Sequence, residues 1–164
     1  MKKLSIILVF AAAVALVFAA SASASSIVLM DLDRMAKSSA FIVKANVASV
    51  QAEWDDDHAR IWTTVELDVQ TFYRGAATED AKLSFVVPGG EVGEIGQIVP
   101  GAPEFKPGEQ VIVLLDRSGP DDALLLVGFN QGKLVRAGTK SDGTEVWARA
   151  VDLKGIDVDA DKLT

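Results

Sequence analysis

The chain has 164 residues, with 16 Lys and Arg against 23 Asp and Glu, one His and no Cys. A length near that of one typical domain argues against a multidomain enzyme, and the lack of Cys excludes disulfides, thiolate catalysis and zinc or iron–sulfur sites built on Cys. The acidic excess disfavours nucleic acid as a partner, because binding to it depends on cations that neutralise phosphates.

The N-terminus has the three parts of a secretory signal peptide. A basic start at Lys2 and Lys3 precedes an apolar run from Leu4 to Ala20, and Ala22-Ser23-Ala24 supplies a small-x-small cleavage site. We predict that residues 1–24 are removed after Ala24, with the preceding Ala-x-Ala as a second possible site, which makes the protein periplasmic or secreted. The 17-residue run is close to the length of a membrane anchor, but the Ser/Ala-rich segment after it favours cleavage.

The remaining chain then carries 14 basic against 23 acidic residues, a net charge of −9. No Cys stands at the cleavage point to carry a lipid, so we expect no stable membrane anchor after cleavage. We predict one β domain over residues 25–150 and a polar C-terminal tail over residues 151–164.

The domain opens with a short predicted helix between Ser26 and Ser39. Its apolar residues recur at steps of three and four, which is helical spacing. Asp31 or Asp33 lies near the predicted start and Lys37 near the end, as the helix dipole favours.

Two long strands come next. The first runs from Phe41 with alternating apolar residues up to Val47, after which the next large apolar residue is Val50, and this slip predicts a β-bulge near Ala48-Ser49. The second runs from Ile61 to Tyr73, with β-branched residues on one face. A polar hairpin loop over residues 53–60 joins the two strands.

Shorter strands fill the rest of the domain. A third strand over residues 82–87 ends at Pro88-Gly89-Gly90, and a weak strand follows over residues 94–99. An apolar run over residues 111–115 predicts a buried strand. Three closing strands are predicted at residues 124–127, 133–136 and 144–148, with a turn at Ser141-Asp142-Gly143. The predicted core consists of Phe41, Val43, Val47, Val65, Leu67, Val69, Leu83, Phe85, Val113 and Leu115.

The order of these motifs resembles a known class of small barrel. The segments Ala40–Val47, Phe72-Tyr73-Arg74-Gly75 and Phe105–Leu114 resemble the netrin-like modules, which include the tissue inhibitors of metalloproteinases, and uncharacterised exported bacterial domains of the same pattern. The resemblance covers about residues 31–135 and implies an all-β, OB-like barrel. Those inhibitors chelate zinc through an N-terminal Cys, which this chain lacks, and the helix common between the third and fourth strands of OB barrels is also missing here.

Two acidic clusters invite a metal-site interpretation. Asp55-Asp56-Asp57-His58 offers either a calcium or transition-metal site at a hairpin tip or a solvated turn, and we favour the turn because consecutive residues do not easily converge on one ion. Asp157-Val158-Asp159-Ala160-Asp161 resembles the first half of a calcium loop that the remaining residues do not complete. We therefore expect no metal, no cofactor and no effect of chelators on thermal stability.

No catalytic motif is recognisable, so we expect the protein not to be an enzyme. The predicted binding surface consists of Trp62, Thr64 and Phe72 on the polar face of the second strand, flanked by the loop from Pro88 to Gly101. The alternative is that both rings are covered and belong to the core.

These observations predict an exported, non-catalytic binding module, with a basic protein surface around an apolar pocket as the best-fitting partner. One alternative is an accessory protein or inhibitor of an exported protease. The other is a hydrolase whose site is not recognisable.

Overall fold

The computed structural model describes residues 30–76 and 80–150, so the predicted signal peptide and C-terminal tail lie outside the described residues. The predicted helix is confirmed as α1 (Leu32–Ser38). The carboxylate of Asp31 caps it by accepting the Arg34 N–H at 2.7 Å, and Asp33 pairs with Lys37 one turn later at 2.6 Å. Within the described ranges, no helix has the length and apolar character needed to cross a membrane.

Nine strands follow α1 in the described parts of the chain. They are β1 (Phe41–Trp54), β2 (Ile61–Arg74), β3 (Lys82–Pro88), β4 (Gly90–Val92), β5 (Ile95–Gln97), β6 (Gln110–Arg117), β7 (Leu124–Leu126), β8 (Lys133–Thr139) and β9 (Glu145–Arg149). Two single turns of 3-10 helix flank β7, at Pro120–Asp122 and Phe129–Gly132. The all-β prediction is confirmed, and the predicted strands appear in their expected order.

Seven strands form one antiparallel sheet in the order β3-β2-β1-β6-β8-β9, with β7 paired to β6, while β4 and β5 form a separate hairpin. Among the described residues, no hydrogen-bonded ladder joins β3 to β7, so the sheet does not close into a barrel. The two strands nevertheless lie side by side, and Phe85 of β3 belongs to the same core cluster as Leu124 and Leu126 of β7. This gap in the hydrogen bonding is called the seam below.

The predicted bulge in β1 is confirmed. Val47 lies opposite Leu67, but Ser49 lies opposite the preceding residue Glu66, so one residue of β1 has no partner. Two further register shifts near the start of β1, on either side of Val43 and Lys44, had no visible sequence signal. Together these irregularities bend the long β1–β2 hairpin around the core.

The core has two parts. The main cluster fills the inner side of the sheet, and every residue predicted for the core lies in it or packs against it. The second cluster, built on Met35, Leu114, Val127 and Leu134, lies on the opposite side of the sheet under α1. Because β6 contributes to both clusters, its apolar run is buried on both faces, as predicted.

Candidate functional site

Trp62 and Thr64 lie together on the outer face of β2, and both are partly exposed. Trp62 is opposite Glu53 of β1 and Pro88 of β3. Residues directly opposite in antiparallel strands share a face, so these side chains lie next to each other on one accessible surface.

Phe72 does not belong to this surface. It lies ten residues beyond Trp62 along β2, about 33 Å for an extended strand. Its ring is partly buried and packs against the main core cluster. The register shifts near Val43 and Lys44 occur beside this end of β2 and disturb the regular alternation of faces. The structure therefore separates the two aromatic rings that the sequence pattern placed together.

Trp62 instead lines an apolar cavity at the seam between β3 and β7, which we call the Trp62 cavity. The cavity has a volume of about 90 Å³. Its walls come from β2, β3, the loop before β6, β7 and the turn after it. The lining residues are Trp62, Val86, Val87, Pro88, Pro103, Leu125, Leu126 and Phe129. Chain segments distant in sequence thus build a recess with almost no polar lining.

Phe129 is held at the cavity in a conformation that bulky residues rarely adopt. Gly128 and Phe129 have consecutive positive φ angles of 66° and 63°. A left-handed conformation costs a residue with a side chain roughly 1–2 kcal/mol. At Gly128 the backbone packs closely on α1, since an added Cβ would lie 3.3 Å from the Met35 Sδ atom. The surrounding packing therefore imposes the backbone that directs Phe129 toward the cavity.

The β4–β5 hairpin flanks the cavity, in the loop region predicted to border the binding surface. Gln97 fixes the hairpin to β2 by accepting the Ile61 N–H at 2.6 Å. A second recess of about 280 Å³ lies beneath the hairpin and shares Pro88 and Pro103 with the Trp62 cavity. Ile95 and Ile98 are 56% and 91% exposed, so the hairpin region presents apolar side chains to solvent.

Three carboxylate residues adjoin residues that line the Trp62 cavity. Glu53 is the cross-strand neighbour of Trp62, and Asp116 is that of Leu125. Glu104 follows Pro103 and lines the adjacent recess. No Lys or Arg is among the described residues that line the cavity. The charged cross-strand neighbours of the lining residues are therefore both acidic, and together with Glu104 they are called the carboxylate rim below.

The acidic loop after β1 is organised as a turn. The Asp55 carboxylate accepts the Ala59 N–H at 2.7 Å and the Arg60 N–H at 3.0 Å. The His58 ring stacks on Trp54 with 6.2 Å between ring centroids. Within the described ranges, no three His, Cys, Asp or Glu side chains converge on a point that would suit a metal ion. These contacts support the turn interpretation of the loop.

The hydrogen bond from the Arg60 N–H, with that from Ala59, lowers the pKa of Asp55 below its ordinary value. A lowered pKa in the folded state means that the ionised carboxylate adds stability above the unfolded-state pKa, about 3.9. This stability is lost as the pH falls through the folded-state pKa. We therefore expect Asp55→Ala to lower the melting temperature at pH 7, and we expect the deficit to shrink as the pH falls below about 4.

Thermal melts of the wild type and of Asp55→Ala, from pH 7 down to pH 2, measure the difference in melting temperature. Asp56→Ala is the matched control, because Asp56 is exposed in the same loop but does not accept the Ala59 and Arg60 N–H groups. A deficit that stays constant down to pH 2 contradicts the assigned role of the Asp55 charge.

A larger groove, of about 630 Å³, lies between the start of α1 and β9. Met30, Leu32 and Trp147 contribute much of its apolar lining. Asp31 and Arg149 also line this groove. The Trp62 cavity has no charged residue in its lining, which makes it the better candidate site for an apolar anchor.

Sequence reasoning found Trp62 and Pro88 but missed Pro103, Leu125 and Phe129. Leu125 was assigned to a closing strand over residues 124–127, in which all four residues are apolar and no alternation marks an outer face. Its outward direction depends on the pairing of β7 with β6, which no local pattern specifies. The Gly128-Phe129 pair carried one usable signal, a glycine followed by an aromatic residue directly after an apolar strand.

Comparisons with protein-family models, with curated proteins and with solved structures find no significant match to this chain. Function is therefore inferred from the geometry of the Trp62 cavity and its surroundings.

Proposed function

We propose that this protein is an exported, non-catalytic module that binds another protein through the surface around the Trp62 cavity. The observation that carries the proposal is the partly exposed pair Trp62 and Phe129 in one apolar recess. Aromatic residues are enriched where proteins bind each other, and anchoring side chains commonly enter small apolar pockets. The N-terminal signal-peptide pattern supports the periplasmic or secreted location.

The cavity size favours a protein partner over a small-molecule ligand. Sites for drug-sized ligands usually enclose about 300–1,000 Å³, whereas the Trp62 cavity encloses about 90 Å³. A cavity of this size suits one side chain projecting from a larger surface.

The same proposal includes an OB-like barrel of the partly open type. Neighbouring strands β1, β2, β3, β7 and β6 form a circuit that returns to β1 and is interrupted only at the seam. OB-folds are five-stranded, partly open barrels that bind ligands on the face of their second and third strands and in adjoining loops. Trp62 and Pro88 occupy that region here.

One observation favours a second candidate, an accessory protein or inhibitor of an exported protease. Ile98 is 91% exposed next to the β4–β5 hairpin, in a loop rich in Gly and Pro. An apolar side chain on such a loop is a suitable element for entering an enzyme cleft. Loss of protease activity on titration with the mature protein, with recovery for Ile98→Ser, would distinguish this candidate from a general binding module.

Capture of partners from the exported fraction tests the main proposal. We expect Trp62→Ala to reduce capture at least tenfold, because truncation of a hot-spot aromatic residue costs about 2 kcal/mol or more of binding free energy. Trp54→Ala is the matched control, since Trp54 is opposite Ile61, on the other face of the hairpin from Trp62, and does not line the cavity.

Both variants are first checked by circular dichroism and thermal melts. Should Trp62→Ala unfold, Leu125→Ser replaces it, because Leu125 lies in the three-residue strand β7 and is partly exposed at the cavity. Folded variants that capture as much partner as the wild type would place the binding face elsewhere.

A further inference from the structure

We propose that the Trp62 cavity receives a cationic segment of another polypeptide, with one branched aliphatic side chain in the cavity and adjacent Lys or Arg side chains on its carboxylate rim. This inference rests on the proposed protein-binding function and adds the chemistry of the partner. Three features of the site support it: its size, its charge and its preformed backbone.

The size selects the anchoring residue. The volume of about 90 Å³ corresponds to the space of about three water molecules. A four-carbon Leu or Ile side chain fills such a space, whereas an indole ring exceeds it. The walls are apolar, so a polar anchor would lose its hydrogen bonds to water without replacement.

The carboxylates of the rim favour basic residues next to the anchoring side chain of the partner. Glu53 and Asp116 share the faces of Trp62 and Leu125, on opposite sides of the cavity, and Glu104 lies beyond Pro103. A segment crossing the cavity therefore passes carboxylates on both sides. Lys or Arg next to the anchor would pair with them and would speed association.

Charge also disfavours a second copy of this chain as the occupant. Among residues 30–76 and 80–150, the most exposed aliphatic side chains are Ile98 and Ile95, and the hairpin that carries Ile95 also carries Glu91 and Glu94. Docking that hairpin in the cavity of another copy would bring carboxylates against Glu53 and Asp116. The full sequence has a net charge of −7, so like-charge repulsion would oppose the pairing.

The cavity is built before any partner arrives. Phe129 is fixed by the positive φ angles at Gly128 and Phe129, and Gln131 holds this turn by donating to the Gly128 carbonyl at 3.1 Å. Strained backbone of this kind clusters at ligand sites. A preformed recess reduces the ordering cost of binding, which favours recognition of a short segment.

Three fluorescently labelled synthetic peptides test the inference by fluorescence polarisation with the mature protein. The first has the centre Gly-Lys-Leu-Arg-Gly, the second the acidic centre Gly-Glu-Leu-Glu-Gly, and the third lacks the anchor and has the centre Gly-Lys-Ser-Arg-Gly. We expect the first peptide to bind at least tenfold more tightly than either of the others. We also expect its affinity to fall as NaCl rises from about 0.05 M to about 0.5 M.

Two double variants of the protein test whether the rim carboxylates cause the preference for the basic peptide. We expect Glu53→Gln with Asp116→Asn to weaken binding of the first peptide at least fivefold and to flatten its salt dependence. The matched control is Glu66→Gln with Asp68→Asn, which removes two charges from β2 four and six residues beyond Trp62, roughly 13 and 20 Å along an extended strand. The control should leave the affinity within twofold of the wild type.

The outcomes separate this inference from the proposed function. Equal binding of the basic and acidic leucine peptides, or no binding of the first peptide up to about 1 mM, overturns the cationic assignment. Capture from the exported fraction that still depends on Trp62 would keep the proposed function in either case. A doubled mass in sedimentation, abolished by Ile98→Ser, would identify a second copy as the occupant and would also overturn the inference.

Discussion

Phe85→Ala is expected to lower the free energy of unfolding by about 3–5 kcal/mol, as truncation of a buried Phe usually does. Phe85 is 1% exposed in the main core cluster. Its ring meets Phe105 edge-to-face with 5.1 Å between centroids, a geometry that adds stability beyond the buried area. The substitution removes a contact that joins β3 to the loop before β6. This contact is one of those that hold β3 in place although it has no hydrogen-bonded ladder to β7.

Urea unfolding of the wild type and variant measures the loss. Val86→Ala is the matched control, because Val86 is the next residue on the opposite, partly exposed face of β3. We expect that control to cost about 1 kcal/mol or less. A larger loss for Val86→Ala than for Phe85→Ala would mean that β3 is shifted by one residue.

The second large effect is expected at Lys133. Its side chain is 7% exposed, and its ammonium group lies 2.7 Å from a Glu109 carboxylate oxygen. The same group donates to the Glu104 carbonyl at 2.5 Å and lies 4.2 Å from the centre of the Phe105 ring. Lys133 thereby fastens the loop before β6 to the start of β8.

Lys133→Ala should lower the free energy of unfolding by about 3 kcal/mol, because breaking a buried ion pair leaves one charge without compensation. We expect the low end of the usual range, since the Glu109 side chain is 26% exposed and partly hydrated. Lys133→Met combined with Glu109→Gln should cost less than Lys133→Met alone. Chemical unfolding of Lys133→Met, of Glu109→Gln and of the double variant measures the coupling between the two side chains.

Lys106→Met serves as the charge control, because Lys106 is exposed in the same loop. It should change stability by about 0.5 kcal/mol or less. If the losses in free energy of unfolding at Lys133 and Glu109 are additive, or if Lys133→Ala loses no more than the control, the ion pair does not stabilise the fold.

Local patterns predicted most of the secondary structure. The alternation from Ile61 predicted the inward face of β2 correctly as far as Val69, although Tyr73 on the same predicted face is exposed, and the slip after Val47 located the bulge. These features depend on neighbouring residues in one strand, where a period of two directly determines which side chains are buried. Asp31 and Lys37 marked the ends of α1 for the same local reason.

Non-local contacts were not predictable in this way. Lys133 looked like an ordinary polar residue at a strand start, and only the approach of Glu109 and Phe105 gives it a buried role. Phe72 was assigned to the same face as Trp62 by counting residues, a rule that fails near the register shifts of β1. Three of the eight residues that line the Trp62 cavity come from β7 and the following turn, whose position beside β3 has no signal in either segment.

The seam between β3 and β7 also bears on how the protein avoids aggregation. Strand edges with free backbone groups are templates for pairing with other chains. Here β3 ends at Pro88, which has no N–H to donate, and β7 is only three residues long. Each edge is further shielded by its neighbour across the seam, since β3 and β7 lie side by side and contribute Phe85, Leu124 and Leu126 to one core cluster. The open side of the sheet is thus a poor starting point for fibrils, even though its hydrogen bonding is incomplete.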